Sequence, residues 1–260
     1  MNIVVCVKQI LDTTDVKFDA ETGRLKREGQ PVTINSLDEY AVEEGLRLKE
    51  KHGGTVTVVS MGPAAALETI RHGIAMGADE GVHLCDAAFA GADTVATVYA
   101  LSRAVAQLGA VDLIICGAES VDGNTAYVGP GLAQSPQIPY VTFVNKIEEI
   151  GGGKMVVQRM MEQGYDRVEC ALPALITVVK SINEPRISSL KGKMRAKKYA
   201  PKTLAAADIA GLDPARAGQA GSTSRVVRTF PPKPRPGGQM IQGEPVEMAE
   251  RLYTVLSTQC

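Results

Sequence analysis

The stretch DLIICGAESVDGNTAYVGPGLAQ, residues 112–134, runs from a short, continuously apolar strand straight into a Gly/Asp/Thr-rich turn and a short helical segment. A strand that is apolar on both faces is one covered by helices on both sides, as in parallel sheets. The same signature recurs at IVVCVK (3–8), TVTVVS (55–60) and GVHL (81–84). Helical patterns separate these strands. The first runs from Leu37 to about Lys51 behind Ser36 and Glu39, which are spaced as a capping box. The second runs from about Ala64 to Met76 and stops at Gly77; the third runs from about Thr94 to Leu108, between an Asp93 N-cap and Gly109. Strand, helix, strand with short loops implies right-handed parallel crossovers. The fold class that follows is α/β, a mostly parallel doubly wound sheet.

Two segments depart from that alternation. VKFDAETGRLKRE (16–28) reads as a hairpin inserted after the first strand, with its turn near Thr22-Gly23. After Ile138-Pro139, the runs YVTFVNKIEEI, KMVVQRMME, YDRVECAL and ALITVVK follow one another with few helices between them, so part of the sheet is expected to be antiparallel. Gly151-Gly152-Gly153 is the turn between the first two of these runs.

Beyond Lys180 the chain loses core character. NEPRISSLKGKMRAKKYAP (183–201) reads as a polar, basic loop, and 211–245 is rich in Gly, Pro, Ser and Arg. A final helix is expected from Val246 to Ser257, where Met248, Leu252 and Val255 recur at helical spacing. Pattern alone does not bury such a tail against its own domain. It reads either as a disordered terminus or as an extended arm that orders on another subunit, and the amphipathic end-helix favours the arm. The organisation expected is a domain over 1–200 and a C-terminal arm and helix over 201–260.

Composition narrows the function classes. An apolar fraction of 45% with 22% charged residues is that of a globular protein. A formal net charge of -1 gives no reason to expect nucleic acid or an anionic membrane as partner. Trp is absent and aromatics are 4%, which argues against a stacking surface for bases or sugars. MNIVVCVKQI has no basic n-region, and no window approaches the roughly 18 apolar residues of a spanning helix, so a soluble, cytoplasmic protein is expected. The five cysteines, Cys6, Cys85, Cys116, Cys170 and Cys260, are scattered without a CxxC pair, which speaks against a disulfide framework or a metal site. Nothing in the spacing of the three histidines points to a nucleophilic triad.

In a doubly wound sheet, ligands sit at the carboxyl ends of strands where strand order reverses. The turn Asp122-Gly123-Asn124-Thr125 after DLIICG, opening a helix, suits a phosphate through free backbone N–H groups and the positive helix end. Gly129-Pro130 is expected to terminate or bend that helix. The same spacing also fits an ordinary βα loop with a capped helix. GxGxxG after the first strand, GxxxxGK[ST] and kinase signatures are all missing, so neither a dinucleotide dehydrogenase nor a phosphate-transferring NTPase is supported.

Together, MNIVVCVKQ at the start, INSLDEYAVEEGLRLKE at 34–50, VSMGP at 59–63, AMGADEGVHL at 75–84, SVDGNTAYVGP at 120–130 and INEPR at 182–186 resemble the β-subunit of electron-transferring flavoproteins. The match covers residues 1–200 in order. The resemblance implies pairing with an α-subunit that holds a redox-active FAD, and an adenine-nucleotide site in this chain, taking AMP in ordinary members and a second FAD in electron-bifurcating ones. Positions matching that site are Cys6, the run Asn35, Ser36, Leu37 and Asp38, then Met61, and the loop Ala118, Glu119, Ser120, Val121, Asp122, Gly123, Asn124, Thr125, Ala126, Tyr127, Val128 and Gly129. It implies further that Asn183, Glu184, Pro185 and Arg186 open a loop that docks a flavin dehydrogenase such as an acyl-CoA dehydrogenase, with Leu190 as the apolar anchor and Lys191, Lys193, Arg195, Lys197 and Lys198 steering an acidic partner. No side chain is required as acid, base or nucleophile, because the flavin carries the chemistry.

The chain departs from the common family pattern at Glu119, Ser120, Asn124 and Tyr127, where Gln, Ala, Asp and Gln are usual. Asp38 resembles the bifurcating members, and the loop keeps the Asp-Gly and Thr that suit a diphosphate. A stand-alone adenine-nucleotide sensor of the universal-stress type shares the α/β core but has no need of residues 180–260. An adenylating ATP-pyrophosphatase needs a Ser/Gly-rich loop after the first strand, where this chain has Val7-Lys8-Gln9.

Overall fold

The computed structural model describes residues 1–12, 31–227, 237–238 and 240–258. Strand β1 (Asn2–Cys6) is buried along almost all its length and leads into a short antiparallel pair, β2 (Gln9–Leu11) and β3 (Val32–Ile34). The 16–28 hairpin expected between those two strands lies outside the described residues. Then come α1 (Ser36–His52), β4 (Thr55–Met61), α2 (Leu67–Met76), β5 (Glu80–Leu84), α3 (Thr94–Ala106), β6 (Leu113–Gly117) and α4 (Val128–Gln134). The second half holds β7 (Tyr140–Gly151), β8 (Lys154–Met161), β9 (Gly164–Ala171), β10 (Ala174–Val178), α5 (Leu190–Lys198), β11 (Lys202–Leu204) and α6 (Pro245–Thr258).

Among the described residues, nine strands form one sheet in the order β11-β5-β4-β1-β6-β10-β7-β8-β9. Every pair from β11 to β7 is parallel, while β7, β8 and β9 are antiparallel. The expected α/β class, mostly parallel with some antiparallel strands, is the one observed. One detail differs from expectation: β10 does not extend the antiparallel group but returns to lie parallel between β6 and β7. Its five residues are all buried, so it belongs in the centre of the sheet, where both faces are covered. From β1 the chain winds outward to β4 and β5, then crosses back to β6 on the other side of β1. Strand order therefore reverses between β1 and β6.

Two apolar layers hold the helices to the sheet. One gathers Ile3, Val5, Val56 and Val58 with Leu46 of α1 and Ile70 and Ile74 of α2. The other gathers Val4, Cys6, Ile114 and Cys116 with Ala100, Leu101 and Ala104 of α3 and Leu132 of α4. Alternate residues of β1 thus feed opposite layers, the period-2 rule of a strand. At about 1.5–3 kcal/mol for each fully buried aliphatic side chain, these layers dominate the stability of the domain.

Helix ends differ from the sequence reading in instructive ways. The capping box at Ser36 and Glu39 is not formed. Ser36 is already helical, and the N-cap is Asn35, whose side chain caps nothing and is used elsewhere. Gly129-Pro130 does not end α4 but lies in its first turn, where proline's fixed φ and missing N–H are tolerated. The basic segment after Asn183 is not wholly a loop, because Ser189 caps α5 through Gly192.

The chain beyond residue 200 first folds back on the domain. β11 pairs with β5, and Leu204, Ile209 and Ala217 are buried among the α3-side apolar residues. Single apolar residues and backbone hydrogen bonds achieve this, which is why no periodic run announced it. Asp93, the expected N-cap of α3, accepts from Ala96 N at 3.0 Å and also from Thr223 N at 2.7 Å and Ser224 N at 2.9 Å. Desolvation pushes its carboxyl up, but those donors outweigh it and hold Asp93 well below the usual carboxylate range. By contrast, α6 buries none of its residues, and Leu252, Tyr253 and Leu256 are exposed.

Replacing Asp93 with Ala removes a helix cap and the anchor of Thr223 and Ser224 together. The expected result is a loss of about 1 kcal/mol or more in denaturant unfolding, with faster amide exchange at 223–227. A depressed folded-state pKa contributes stability above the ordinary aspartate value near 4 and loses it as pH falls. The difference between wild type and Asp93→Ala should therefore shrink below about pH 4.

Candidate functional site

The crevice at the strand-order reversal is built from three chain segments. β1 ends at Cys6, which is buried and in register with Cys116 of β6. Lys8 follows on the rim. The segment 35–38 enters α1 beside it, and residues 118–127 leave β6 across from it. Asn35, only 1% exposed, joins them: its Nδ2 donates to Asp38 Oδ1 at 3.0 Å and to the Glu119 carbonyl at 2.9 Å, while its Oδ1 accepts from Val121 N at 3.2 Å. The amide is spent on the crevice rather than on capping α1.

Asp38 closes the floor. It is 5% exposed, and its Oδ2 accepts from Lys8 N at 2.7 Å. A Cβ on Gly117 would stand 2.4 Å from Asp38 Oδ1 and 2.9 Å from the Leu37 carbonyl carbon, so only glycine lets β6 approach the start of α1 this closely. Burial pushes the Asp38 carboxyl up to about 7, against the hydrogen bonds from Asn35, Lys8 and Gly117 and the nearby Lys8 charge. Cys116 lies beneath, its thiol pushed up by a hydrogen bond with Cys6 and by burial.

The Lys8 ammonium reaches the far side of the crevice. It donates to Asp122 Oδ1 at 2.6 Å and to Ser120 Oγ at 3.1 Å. Partial burial pushes Asp122 up, but the bond from Lys8 outweighs it and holds Asp122 below its usual range. Beyond Asp122 the loop is exposed through Thr125, and Asn124 and Ala126 carry φ of 47° and 51° on either side of Thr125. Left-handed backbone is uncommon outside glycine, so these two positions mark a tight turn, and Gly123 N and Asn124 N donate back to the Ser120 carbonyl. Val121 and Tyr127 are exposed apolar lips of the loop. Val128 and Gly129 form the first turn of α4, and the helix opens there rather than at Thr125.

Of the site residues expected from sequence, Cys6, Asn35, Ser36, Leu37, Asp38 and the 118–127 loop meet at this crevice. Met61 stands at the end of β4, next to β1, on the same rim. Lys8 was missed. A lysine two residues past a buried strand, at the start of a rim loop, was the available signal.

The expected docking residues lie on the opposite side of α1. Asn183 Nδ2 donates to the Tyr40 carbonyl at 3.0 Å and to Glu44 Oε2 at 2.9 Å. Arg186 Nε donates to Glu43 Oε2 at 2.7 Å, and its guanidinium also grips Glu50. The Glu184 carbonyl accepts from Arg47 at 3.1 Å. Burial pushes Glu43 up, but Arg186 and Arg47 bring it below the usual range, whereas burial leaves Glu44 raised. The Asn-Glu-Pro-Arg run is therefore a clamp on α1, and the exposed apolar groups follow it: Ile187, Leu190 and Met194 at 93%, 77% and 58%. Ile187 and Met194 were not singled out from sequence, although they flank Leu190 at spacings of three and four. α5 is seated by Gly192, where a Cβ would stand 2.2 Å from the Ala75 carbonyl oxygen of α2. Among the described residues, no helix is long and apolar enough to cross a membrane.

A doubly wound α/β domain with a polar crevice at its switch point defines a ligand-binding class rather than one activity. Comparison with known proteins narrows it. Residues 22–209 match the family described as "Electron transfer flavoprotein domain". The chain is 43% identical over 258 residues to an electron transfer flavoprotein subunit beta of Thermoanaerobacterium thermosaccharolyticum, covering 99% of this chain and 98% of the relative. It is 43% identical to the caffeyl-CoA reductase-Etf complex subunit CarD of Acetobacterium woodii, covering 98% of each. It is 39% identical to protein FixA of Azotobacter vinelandii, covering 100% of this chain and 95% of that one. The chain belongs to the electron transfer flavoprotein family, as a beta subunit, and serves electron transfer. A stand-alone sensor of universal-stress type is not favoured, since the likeness continues through the residues such a sensor has no need of.

Asp38 predicts a pH dependence. A buried acid whose pKa rises on folding takes up a proton in the folded state, so its contribution to stability falls as pH climbs from about 4 to about 7 and then levels. Asp38→Asn should flatten that part of the stability–pH curve, measured by urea unfolding at pH 5 and pH 8.

Proposed function

We propose that this chain, paired with an alpha subunit that holds FAD, forms a cytoplasmic heterodimeric carrier between a flavin dehydrogenase, such as an acyl-CoA dehydrogenase, and an acceptor. The single observation that carries the nucleotide part is the crevice at the strand reversal, where Lys8, Asn35, Asp38 and the exposed 120–127 loop converge. In a member of this family, that convergence is read as an adenine-nucleotide site for AMP or a second FAD.

The residues fit the phosphate end of such a group. A half-exposed ammonium, the Thr125 hydroxyl and a loop with left-handed turns at Asn124 and Ala126 offer donors. The Gly117 approach brings Leu37 and Asp38 to the floor. Bound flavin supplies one- and two-electron chemistry, while AMP supplies none. This chain's own residues bind and orient: Asn35 fixes the two walls, Lys8 meets negative charge, and Asp38 holds a proton at the crevice floor near neutral pH. The Asp-Gly and Thr of the loop together with Asp38 favour a site able to take FAD, and with it electron bifurcation involving NADH.

The apolar stripe Ile187–Leu190–Met194 supports the docking part of the reading. Around it, Lys191, Lys193, Lys197 and Lys198 give the on-rate to an acidic partner, and Leu190 gives a small apolar anchor suited to transient contact. The uncovered face of α6 supports its packing on the alpha subunit.

Cofactor analysis of the chain co-purified with its alpha subunit tests the reading. Two FAD per heterodimer without AMP is the result expected for a redox-active second site. One FAD with one AMP would make the carrier a single-flavin shuttle, and a folded homodimer loaded with ATP would overturn the assignment. Separately, Leu190→Ala should weaken electron transfer from the dehydrogenase about tenfold or more, through KM rather than flavin content, and Met194→Ala should do so less.

A further inference from the structure

Resting on the nucleotide-site reading above, the geometry points to Lys8 as the group that makes the crevice selective for a phosphate-bearing ligand, and to Asp122 as an internal competitor that sets how tightly the phosphate is held. The segments that form the crevice, 6–8, 35–38 and 118–129, contain one cationic side chain, Lys8, against three carboxyls, Asp38, Glu119 and Asp122. An anion entering beside the Glu119 and Asp122 carboxylates meets repulsion unless Lys8 turns to it. Lys8 is placed to do so, because its backbone is fixed by the bond from Lys8 N to Asp38, while its side chain is 47% exposed. Its ammonium is held by Asp122 Oδ1 at 2.6 Å and Ser120 Oγ at 3.1 Å, both on the exposed loop.

A phosphate and Asp122 therefore compete for one ammonium. Lysine acts toward phosphate as a compact point charge on a flexible stem, so it can swing from one to the other without rebuilding the wall. Asn35 and Asp38 keep the walls in place during that exchange, since neither of them depends on the Lys8 side chain for its own hydrogen bonds. No bond is made or broken, and Lys8 is a specificity residue rather than a catalytic one.

The test is calorimetric binding of AMP and of adenosine to the full-length chain, co-produced with its alpha subunit and freed of bound nucleotide. Wild type should prefer AMP. Lys8→Met should lose about tenfold or more in AMP affinity while leaving adenosine within twofold, and Lys8→Arg should retain most of the preference. Asp122→Asn should tighten AMP several-fold with adenosine unchanged, and that gain should vanish in the Lys8→Met background, as expected if Asp122 acts through Lys8. Unchanged AMP-to-adenosine ratios in both single variants would overturn the inference while leaving the nucleotide site standing. A gain from Asp122→Asn that persists without Lys8 would overturn the competitor role, because Asp122 would then act by direct repulsion. If wild type binds neither of these nor FAD at this site, the site reading and this inference fall together; FAD binding without AMP binding overturns this inference alone.

Discussion

The side-chain amide of Asn35 is the contact on which the rest of the site depends. It is buried, and it bonds at once to its own segment through Asp38 and to the opposite wall through the Glu119 carbonyl and the Val121 amide. One wall follows β6 of the main sheet, while the other enters α1 from β3, a strand of the separate β2-β3 pair. Sheet geometry alone leaves the two loops free to drift apart. A buried amide with three partners does not, because stranding any of its groups away from water costs about 1–3 kcal/mol.

The same helix that starts at this crevice also carries the proposed docking segment. Asp38 lies in the first turn of α1, while Glu43, Glu44 and Glu50 farther along hold Asn183 and Arg186. The Glu43–Arg186 pair is not an ornament of the surface. The Glu43 side chain is only 3% exposed and accepts from two arginines, so its charge is paired where it leaves water. The Lys154–Glu169 pair on the outer antiparallel strands, with both side chains 57% exposed, contributes little by comparison. The chain thus puts its strong ion pairs where a loop must be held rigid behind an exposed apolar tip.

The parallel part of the fold was legible because each buried strand is a short β-branched run and the helices α1, α2 and α3 are closed by a glycine or opened by an acid, as at Gly53, Gly77 and Asp93. The reading failed where one residue was called to two tasks. Asn35-Ser36 with Glu39 has the spacing of a capping box, but the amide that sets the helix start is taken by the far loop. It failed again where burial came from isolated residues. Leu204, Ile209 and Ala217 have no period to detect, yet a sheet edge at β5 and the carboxylate of Asp93 gather them.

The α/β class, the strands and most helices, the family resemblance and the loops that surround the crevice can be read along the chain, because each of these is written in local periodicity or in contiguous residues. Folding alone brings β10 into the centre of the sheet, makes Asn-Glu-Pro-Arg a clamp with Ile187, Leu190 and Met194 as the exposed face, and shares Lys8 between the floor and the far wall. Those facts depend on partners more than a hundred positions away, such as Lys8 with Asp122 and Arg186 with Glu43. The free energy of such a pair is set by burial and competing charge at the meeting point, which no local pattern encodes.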